Sequence, residues 1–147
     1  MGEHVPAQLR RLVRHCAEFL CEYCLLHEDD GYVGFQVDHI ISEKHGGATA
    51  AENLALACAC CNRAKGSDVA VVDQRTGSAV RLFNPRTDVW QDHRRLVGAR
   101  IEWRPLIGEA TVQLLKMNGE ARVLEREELR RHRKYPRAAA LKKMLDS

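Results

Sequence analysis

Two Cys-x-x-Cys pairs, Cys21/Cys24 and Cys58/Cys61, constrain this sequence more than any other feature. A Cys-x-x-Cys turn presents two sulfurs from one tight knuckle, and two such knuckles supply the ligands of a tetrahedral Zn²⁺ site. An ion bound in this way ties together two parts of the chain that are separated by a few dozen residues. The pairs therefore predict a small fold that is stapled by a structural four-cysteine zinc site.

The remaining cysteines, Cys16 and Cys60, are predicted to lie outside this site. Cys60 offers a third sulfur beside the second pair, but adjacent cysteines point in different directions, and the two-residue spacer of Cys58 and Cys61 fits a knuckle. Whether Cys60 competes as a zinc ligand stays open. Cys16 falls at an apolar position of a predicted helix and is interpreted as a core residue.

Length and composition limit the fold to one small domain, or to one domain with an extension. The chain has 147 residues, of which 5% are aromatic and 29% are charged, so its core is modest and a metal staple would reinforce it. No segment approaches the ~20 apolar residues of a membrane span, and the N-terminus lacks a signal-peptide pattern. Cysteines in such a chain are expected to be thiols or metal ligands, which favours a cytoplasmic protein with no membrane partner.

The distribution of charge is more informative than the formal net charge of +3. Basic residues are concentrated towards both ends of the chain. They are Arg10, Arg11 and Arg14 near the start, and Arg130, Arg131, Arg133, Lys134, Arg137, Lys142 and Lys143 near the end. For the first group, a DNA contact and a solvated helix face are equally supported. For the charged helix at 120–137, a solvated face is favoured.

Patterning predicts a ββα unit between the two cysteine pairs. Runs of β-branched, aromatic and aliphatic residues at 35–41 and 53–57 predict two strands, and 59–65 predicts a short helix that ends at Gly66. Upstream, residues 6–19 predict a helix that begins near Pro6. The predicted fold class is therefore α+β, a ββα-metal module with an N-terminal helix and a C-terminal extension.

The C-terminal extension is predicted to contain a hairpin and helices. Its predicted elements are a hairpin of 69–73 and 79–83 around a Thr76-Gly77 turn, a strand at 100–104, and helices at 107–117 and 120–134. We place the domain boundary after residue 68. Residues 1–68 then form the module, and 69–147 form an extension packed on or beside it.

A second set of polar residues suits a harder cation than zinc. Asp38 and His39 come near the end of the first predicted strand, and Asn62 directly follows the last cysteine. Carboxylate and amide oxygens suit Mg²⁺ or Mn²⁺, whereas a neutral imidazole is a competent base at neutral pH. Because neighbouring strand residues point to opposite faces, Asp38 is predicted to hold the cation while His39 addresses a water beside it.

Asn53 and several basic side chains complete the candidate site. Asn53 lies on the second predicted strand, where its amide can bridge the backbone of the preceding loop and hold the first strand in place. The candidate substrate-binding residues are Lys44, His45, Arg63 and Lys65. For each of these basic residues, a solvated surface position stays open as the alternative.

In their order and spacing, these residues resemble the HNH endonuclease family, in the subclass with a ββα-metal fold and a four-cysteine zinc site. The matching residues are Cys21-x-x-Cys24, Val37-Asp38-His39-Ile40, Gly46-Gly47, Glu52-Asn53-Leu54 and Cys58-x-x-Cys61-Asn62-x-x-Lys65. The resemblance covers about residues 16–68. It implies a metal-dependent endonuclease that hydrolyses phosphodiester bonds of DNA, with RNA as the other candidate substrate.

The resemblance also implies a role for each matching residue. His39 would be the general base, Asp38 and Asn62 would hold a catalytic Mg²⁺ or Mn²⁺, and Asn53 would brace the His39 loop. One cation would neutralise charge at the phosphate while His39 takes the proton from water. Two other functions stay open: a zinc-stapled nucleic-acid-binding module without catalysis, and an interaction protein whose active surface is the extension. The residues indicate neither sequence specificity nor oligomeric state.

Overall fold

A ββα unit lies at the centre of the fold, as the sequence predicts. In a computed structural model, which describes residues 4–145, helix α1 (Ala7–Cys16) precedes strand β1 (Gln36–His39). Strand β1 pairs antiparallel with strand β2 (Leu54–Ala57), and helix α2 (Ala59–Lys65) follows directly. The predicted α+β class with a ββα module is confirmed.

Local sequence explains how this unit is closed. All residues of β2 are buried, because α1 and α2 both pack against the strand. Cys58 caps α2, since its sulfur accepts the backbone N–H of Cys61 at 3.4 Å. The helix ends at Gly66, whose positive φ of 52° is a conformation that glycine adopts without strain. The second cysteine pair is thus built into a strand-to-helix junction.

The extension carries the remaining elements. These are β3 (Ala70–Val72), β4 (Ala79–Arg81), α3 (Trp90–His93), β5 (Arg94–Val97), β6 (Arg100–Trp103), α4 (Ile107–Leu114), α5 (Glu120–Arg131) and α6 (Ala138–Leu145). The predicted hairpin is confirmed as the antiparallel pair β3–β4, and β5 pairs with β6 in a further hairpin. Among residues 4–145, no helix has the length and apolar character needed to cross a membrane.

One prediction about burial is wrong. Cys16 is exposed rather than part of the core, because α1 ends there and turns Val13 and not Cys16 towards the interior. Helix α5 is largely solvent-exposed, as predicted, and Arg126 is its buried residue. That side chain donates to the carbonyl oxygens of Ala99 and Met117 at 2.7 Å and 2.6 Å, which anchors α5 to the rest of the extension.

One hydrophobic core runs through both predicted segments. It contains Val13 and Leu56 from the module together with Trp90, Ile101 and Tyr135 from the extension. The domain boundary after residue 68 stays a prediction, and the outermost residues of the two segments, 1–3 and 146–147, lie outside the described range. A shared core means that the extension can reach the site residues of the module.

Candidate active site and metal centre

The sulfur atoms of Cys21, Cys24, Cys58 and Cys61 form a buried cluster in which all of them lie within 4.8 Å of one another. The Sγ atoms of Cys24 and Cys58 are 3.8 Å apart. A tetrahedron with Zn–S bonds of ~2.3 Å has sulfur–sulfur edges of ~3.8 Å, so the arrangement fits a tetrahedral metal ion. Cys60 is exposed and lies outside the cluster. The predicted four-cysteine cluster is confirmed.

Hydrogen bonds shape each knuckle, while burial and crowding oppose full ionisation of the thiols. The backbone N–H of Cys24 donates to the Cys21 sulfur at 3.5 Å, and that of Cys61 donates to the Cys58 sulfur at 3.4 Å. Contacts among the sulfurs raise the pKa of the Cys58 and Cys61 thiols and lower the pKa of the Cys24 thiol, so the cluster does not ionise completely by itself. A full set of thiolates therefore requires a cation at the centre of the cluster.

His39 is the last residue of β1, and its side chain is only 3% exposed. Its Nε2 atom lies 2.8 Å from Thr49 Oγ1, and the Thr49 hydroxyl donates to Glu43 Oε2 at 3.1 Å. Because the single hydroxyl proton points to Glu43, the Thr49 oxygen accepts from Nε2–H. This chain of contacts favours the imidazole tautomer whose lone pair is on Nδ1.

Asn53 closes the loop that follows His39. Its Oδ1 accepts the N–H of Ile41 at 3.0 Å, and its Nδ2 donates to the carbonyl oxygens of Ile41 and Ala48, both at 2.8 Å. Gly47 packs tightly against this arrangement, because a Cβ atom there would lie 1.8 Å from the Ile41 oxygen and 2.7 Å from Asn53 Nδ2. The loop conformation therefore depends on an amide at 53 and on glycine at 47.

Asp38 and Asn62 lie on neighbouring elements and are both partly exposed. Asp38 is on β1, opposite Ala55, and Asn62 is on α2, which packs against β1. Asn62 also follows Cys61 directly, so the cysteine cluster fixes its place on the helix. One carboxylate and one amide suit Mg²⁺, which keeps several waters when it binds to few protein ligands. That the two side chains share a cation stays a prediction.

The basic candidates differ in their surroundings. Arg63, Lys44 and His45 are exposed, the last two on a single 3-10 turn (Glu43–His45). Lys65 is only 4% exposed, and its Nζ atom lies 3.4 Å from the His39 carbonyl oxygen. This contact ties α2 to the end of β1, and the substrate contact of Lys65 stays a prediction.

A family model described as HNH endonuclease matches residues 21–68, which is about a third of the chain. Residues 21–68 form an HNH domain. The matched range contains both knuckles, β1, β2 and α2, together with His39 and Asn53. No curated protein and no solved structure gave a match to the chain. The HNH match supports a nuclease-family function that acts on nucleic acid.

The structure shows contacts to His39 and to the cysteine cluster that sequence patterning missed. Thr49 and Glu43 reach His39 from the loop between β1 and β2, and Arg122 reaches the cysteine cluster from α5. Thr49 and Glu43 have no distinctive sequence signal beyond lying a few residues after His39. Arg122 has none, because it is one of many basic residues in a charged helix.

Replacing Asn53 with alanine is expected to loosen the loop of the HNH domain after His39. The change removes hydrogen bonds to Ile41 N–H, Ile41 C=O and Ala48 C=O, and a loss of about 2–3 kcal/mol in the free energy of unfolding follows from their typical net values. Urea denaturation would measure the loss, with the exposed neighbour variant Glu52→Ala as control. Equal stabilities for the two variants would contradict the bracing role.

Proposed function

We propose that this chain is a metal-dependent endonuclease that hydrolyses phosphodiester bonds of DNA. The observation that carries the proposal is the setting of His39 inside an HNH domain. Its ring is oriented by Thr49, and the loop that follows it is closed by Asn53. An imidazole held in this way is pre-organised to accept a proton, which is a use that a simple binding module does not require.

In the proposed reaction, Nδ1 of His39 takes the proton from the attacking water. The Nε2–H contact with Thr49, backed by the Glu43 carboxylate, would stabilise the imidazolium that forms. Asp38 and Asn62 are the residues that would hold a single catalytic Mg²⁺ or Mn²⁺. When bound, this ion supplies positive charge for the phosphate and for the leaving 3′ oxygen.

The cysteine cluster has a different proposed role. Its spacing fits Zn²⁺, and four sulfur ligands leave no open coordination position, as in structural zinc sites. The ion would hold the two knuckles together and so fix α2, which carries Asn62. Thiol ligands require a reducing compartment, so the cytoplasm is the proposed location.

The second candidate function is a zinc-stapled nucleic-acid-binding module without catalysis. The exposed basic side chains of Lys44, His45 and Arg63, close in sequence to the site residues, favour this alternative. A binding module of this kind does not explain why Thr49 and Glu43 orient the His39 ring. Both functions use the same partner class, so binding alone does not separate them.

A plasmid-nicking assay tests the proposal by adding and withholding the catalytic ion. With the zinc content of the protein monitored throughout, supercoiled DNA is expected to be nicked only when Mg²⁺ or Mn²⁺ is supplied, because the proposed reaction needs a divalent ion at Asp38 and Asn62 to stabilise the charge on the reacting phosphate. DNA binding with no nicking under either ion would contradict the proposal and favour the binding module. In that case, affinity should fall steeply with salt as phosphate contacts are screened.

A further inference from the structure

Arg122 on α5 joins the extension to the second cysteine knuckle. Its Nη2 atom donates to the Cys61 sulfur at 3.1 Å and lies 3.8 Å from the Cys58 sulfur. Its Nη1 atom donates to the Leu115 carbonyl oxygen at 2.8 Å, which gives the guanidinium a second anchor. The contact is therefore between a positively charged group and two of the sulfurs that face the metal position.

Arg94 on β5 approaches the first knuckle and is fully buried, with 0% of its surface exposed. Its guanidinium lies 4.1 Å and 4.6 Å from the ring centroids of Phe83 and Trp90. Its Nη1 atom donates at 2.7 Å to the carbonyl oxygen of Tyr23, which lies between the two cysteines of the knuckle. Within the described residues 4–145, its Nε and Nη2 atoms have no hydrogen-bond partner.

Among the described residues, no carboxylate forms an ion pair within 4 Å of either guanidinium, since the arginine ion pairs there involve other arginines. Glu125, on the same helix as Arg122, interacts with it electrostatically at longer range. A buried charge without a partner is expensive, so a compensating negative charge is expected close by. Burial lowers the pKa of Arg94 to about 10, and the sulfurs of Cys61, Cys21 and Cys24 act in the opposite direction. Arg94 therefore stays charged at neutral pH.

Arg126 is buried like Arg94, whereas Arg122 is half-buried, and Arg126 shows how neutral acceptors satisfy a guanidinium in this region. Arg126 lies one turn after Arg122 on α5, and it donates to the backbone carbonyls of Ala99 and Met117 and to the side-chain oxygen of Asn118. Those contacts satisfy the guanidinium with neutral acceptors. Arg122 differs because it donates to two sulfurs of the cluster, and Arg94 differs because it donates to a carbonyl inside the first knuckle while its Nε and Nη2 atoms stay without a partner among the described residues.

We propose that Arg94 and Arg122 are the counter-charges of the metal-loaded cysteine site. Four thiolates around one divalent cation leave two negative charges, and two guanidiniums reduce the total to zero. Both arginines come from the extension, so the extension is assigned a role in retaining the metal. This inference rests on the metal binding proposed above for the cysteine cluster.

The physical effect of the two cations is to keep the sulfurs in the form that binds metal. A guanidinium beside a thiolate stabilises its negative charge and opposes the protonation that would release the ion. Partners in the outer shell of metal sites typically change metal affinity by about 10–100-fold. In this proposal the positive charge of Arg122 matters more than its hydrogen bond to sulfur. Substitutions of Arg122 that keep the charge and substitutions that remove it should therefore differ in their effect.

The test compares zinc release from full-length, zinc-loaded variants. Arg122→Gln keeps a hydrogen-bond donor but loses the charge, and zinc transfer to an excess of a coloured chelator is expected to be about 10–100-fold faster than in wild type. Arg122→Lys keeps the charge and should release zinc at a rate closer to wild type. Arg130→Gln, at an exposed position of the same helix, is the matched control and should release zinc at the wild-type rate.

A spectroscopic measurement separates a charge effect from simple loosening. In the Co²⁺-substituted protein, removing the cation beside the sulfurs raises the energy of their lone pairs, so the sulfur-to-cobalt absorption of Arg122→Gln should move to lower energy. Loosening of the fold alone would not move this band. If Arg122→Gln does not fold, Arg94→Met provides the same comparison, because an apolar replacement of a buried charge often preserves packing.

The outcomes for this inference and for metal binding itself are distinct. Wild-type protein that holds zinc, combined with unchanged release rates and an unmoved cobalt band in the charge-removing variants, would overturn the counter-charge assignment alone. Wild-type protein that binds neither zinc nor cobalt would overturn both the assignment and the proposed zinc site. Faster release in Arg122→Gln with the band shifted supports the inference.

Discussion

The substitution His39→Ala is expected to reduce divalent-dependent nicking of plasmid DNA by about 10²–10⁴-fold, the usual cost of removing a general base. The reason is that no other group would take the proton from water at this position, while Asp38 and Asn62 would still hold the cation. Nicking rates at saturating Mg²⁺ or Mn²⁺ would measure the loss, and the variant should keep its zinc and a cooperative thermal transition.

The matched control for His39 is His132→Ala. His132 is an exposed histidine that directly follows α5, outside the HNH domain and outside the candidate site. It is expected to retain nicking of the same order as wild type. Wild-type nicking by a folded His39→Ala variant would rule out the proposed base and would require another proton acceptor.

The substitution Cys61→Ser is expected to remove the cooperative fold of the HNH domain rather than its chemistry alone. A structural zinc site contributes about 10–16 kcal/mol of apparent binding energy in small zinc domains, which exceeds the stability of most domains of this size. Circular dichroism, zinc analysis and tryptophan emission would measure the loss. Trp90 is a suitable reporter because it is buried and donates to the Tyr23 carbonyl of the first knuckle at 3.0 Å.

Cys60→Ser is the matched control for this prediction. Cys60 is adjacent to Cys61 but exposed and outside the sulfur cluster, so its loss should leave the zinc content and the thermal transition unchanged. A Cys61→Ser protein that melts cooperatively without zinc would show that the hydrophobic core suffices and that the metal is not structural.

The sequence was sufficient to predict the ββα unit and the sulfur cluster. Metal ligation restricts both the residue type and the spacing, so the pairs Cys21/Cys24 and Cys58/Cys61 indicate one shared site by their spacing alone. The hairpin β3–β4 was likewise predictable, because its turn contains Gly77, whose φ is 75°. Residue type and spacing along the chain specify these features, so they can be predicted without knowing how the rest of the chain packs.

The sequence was not sufficient where polarity and burial disagree. Strand β5 begins with two arginines, which indicates a surface segment, yet Arg94 is fully buried between aromatic rings. Cys16 shows the opposite error, because an apolar position near the end of α1 faces solvent. The roles of Thr49 and Arg122 depend on loops and helices that meet only in three dimensions, so no pattern along the chain predicts them.

The hydrogen bonds at the first knuckle determine how far the HNH domain can be treated as a transferable unit. The carbonyl oxygens of Tyr23 and Cys24 receive donors from Trp90, Arg94 and Tyr135, all beyond residue 68. Grafting residues 21–68 alone onto another protein would return these oxygens to water and uncover the apolar surface beneath Trp90. Evolutionary recombination or engineering that moves this cassette must therefore carry the downstream helices with it or provide equivalent donors.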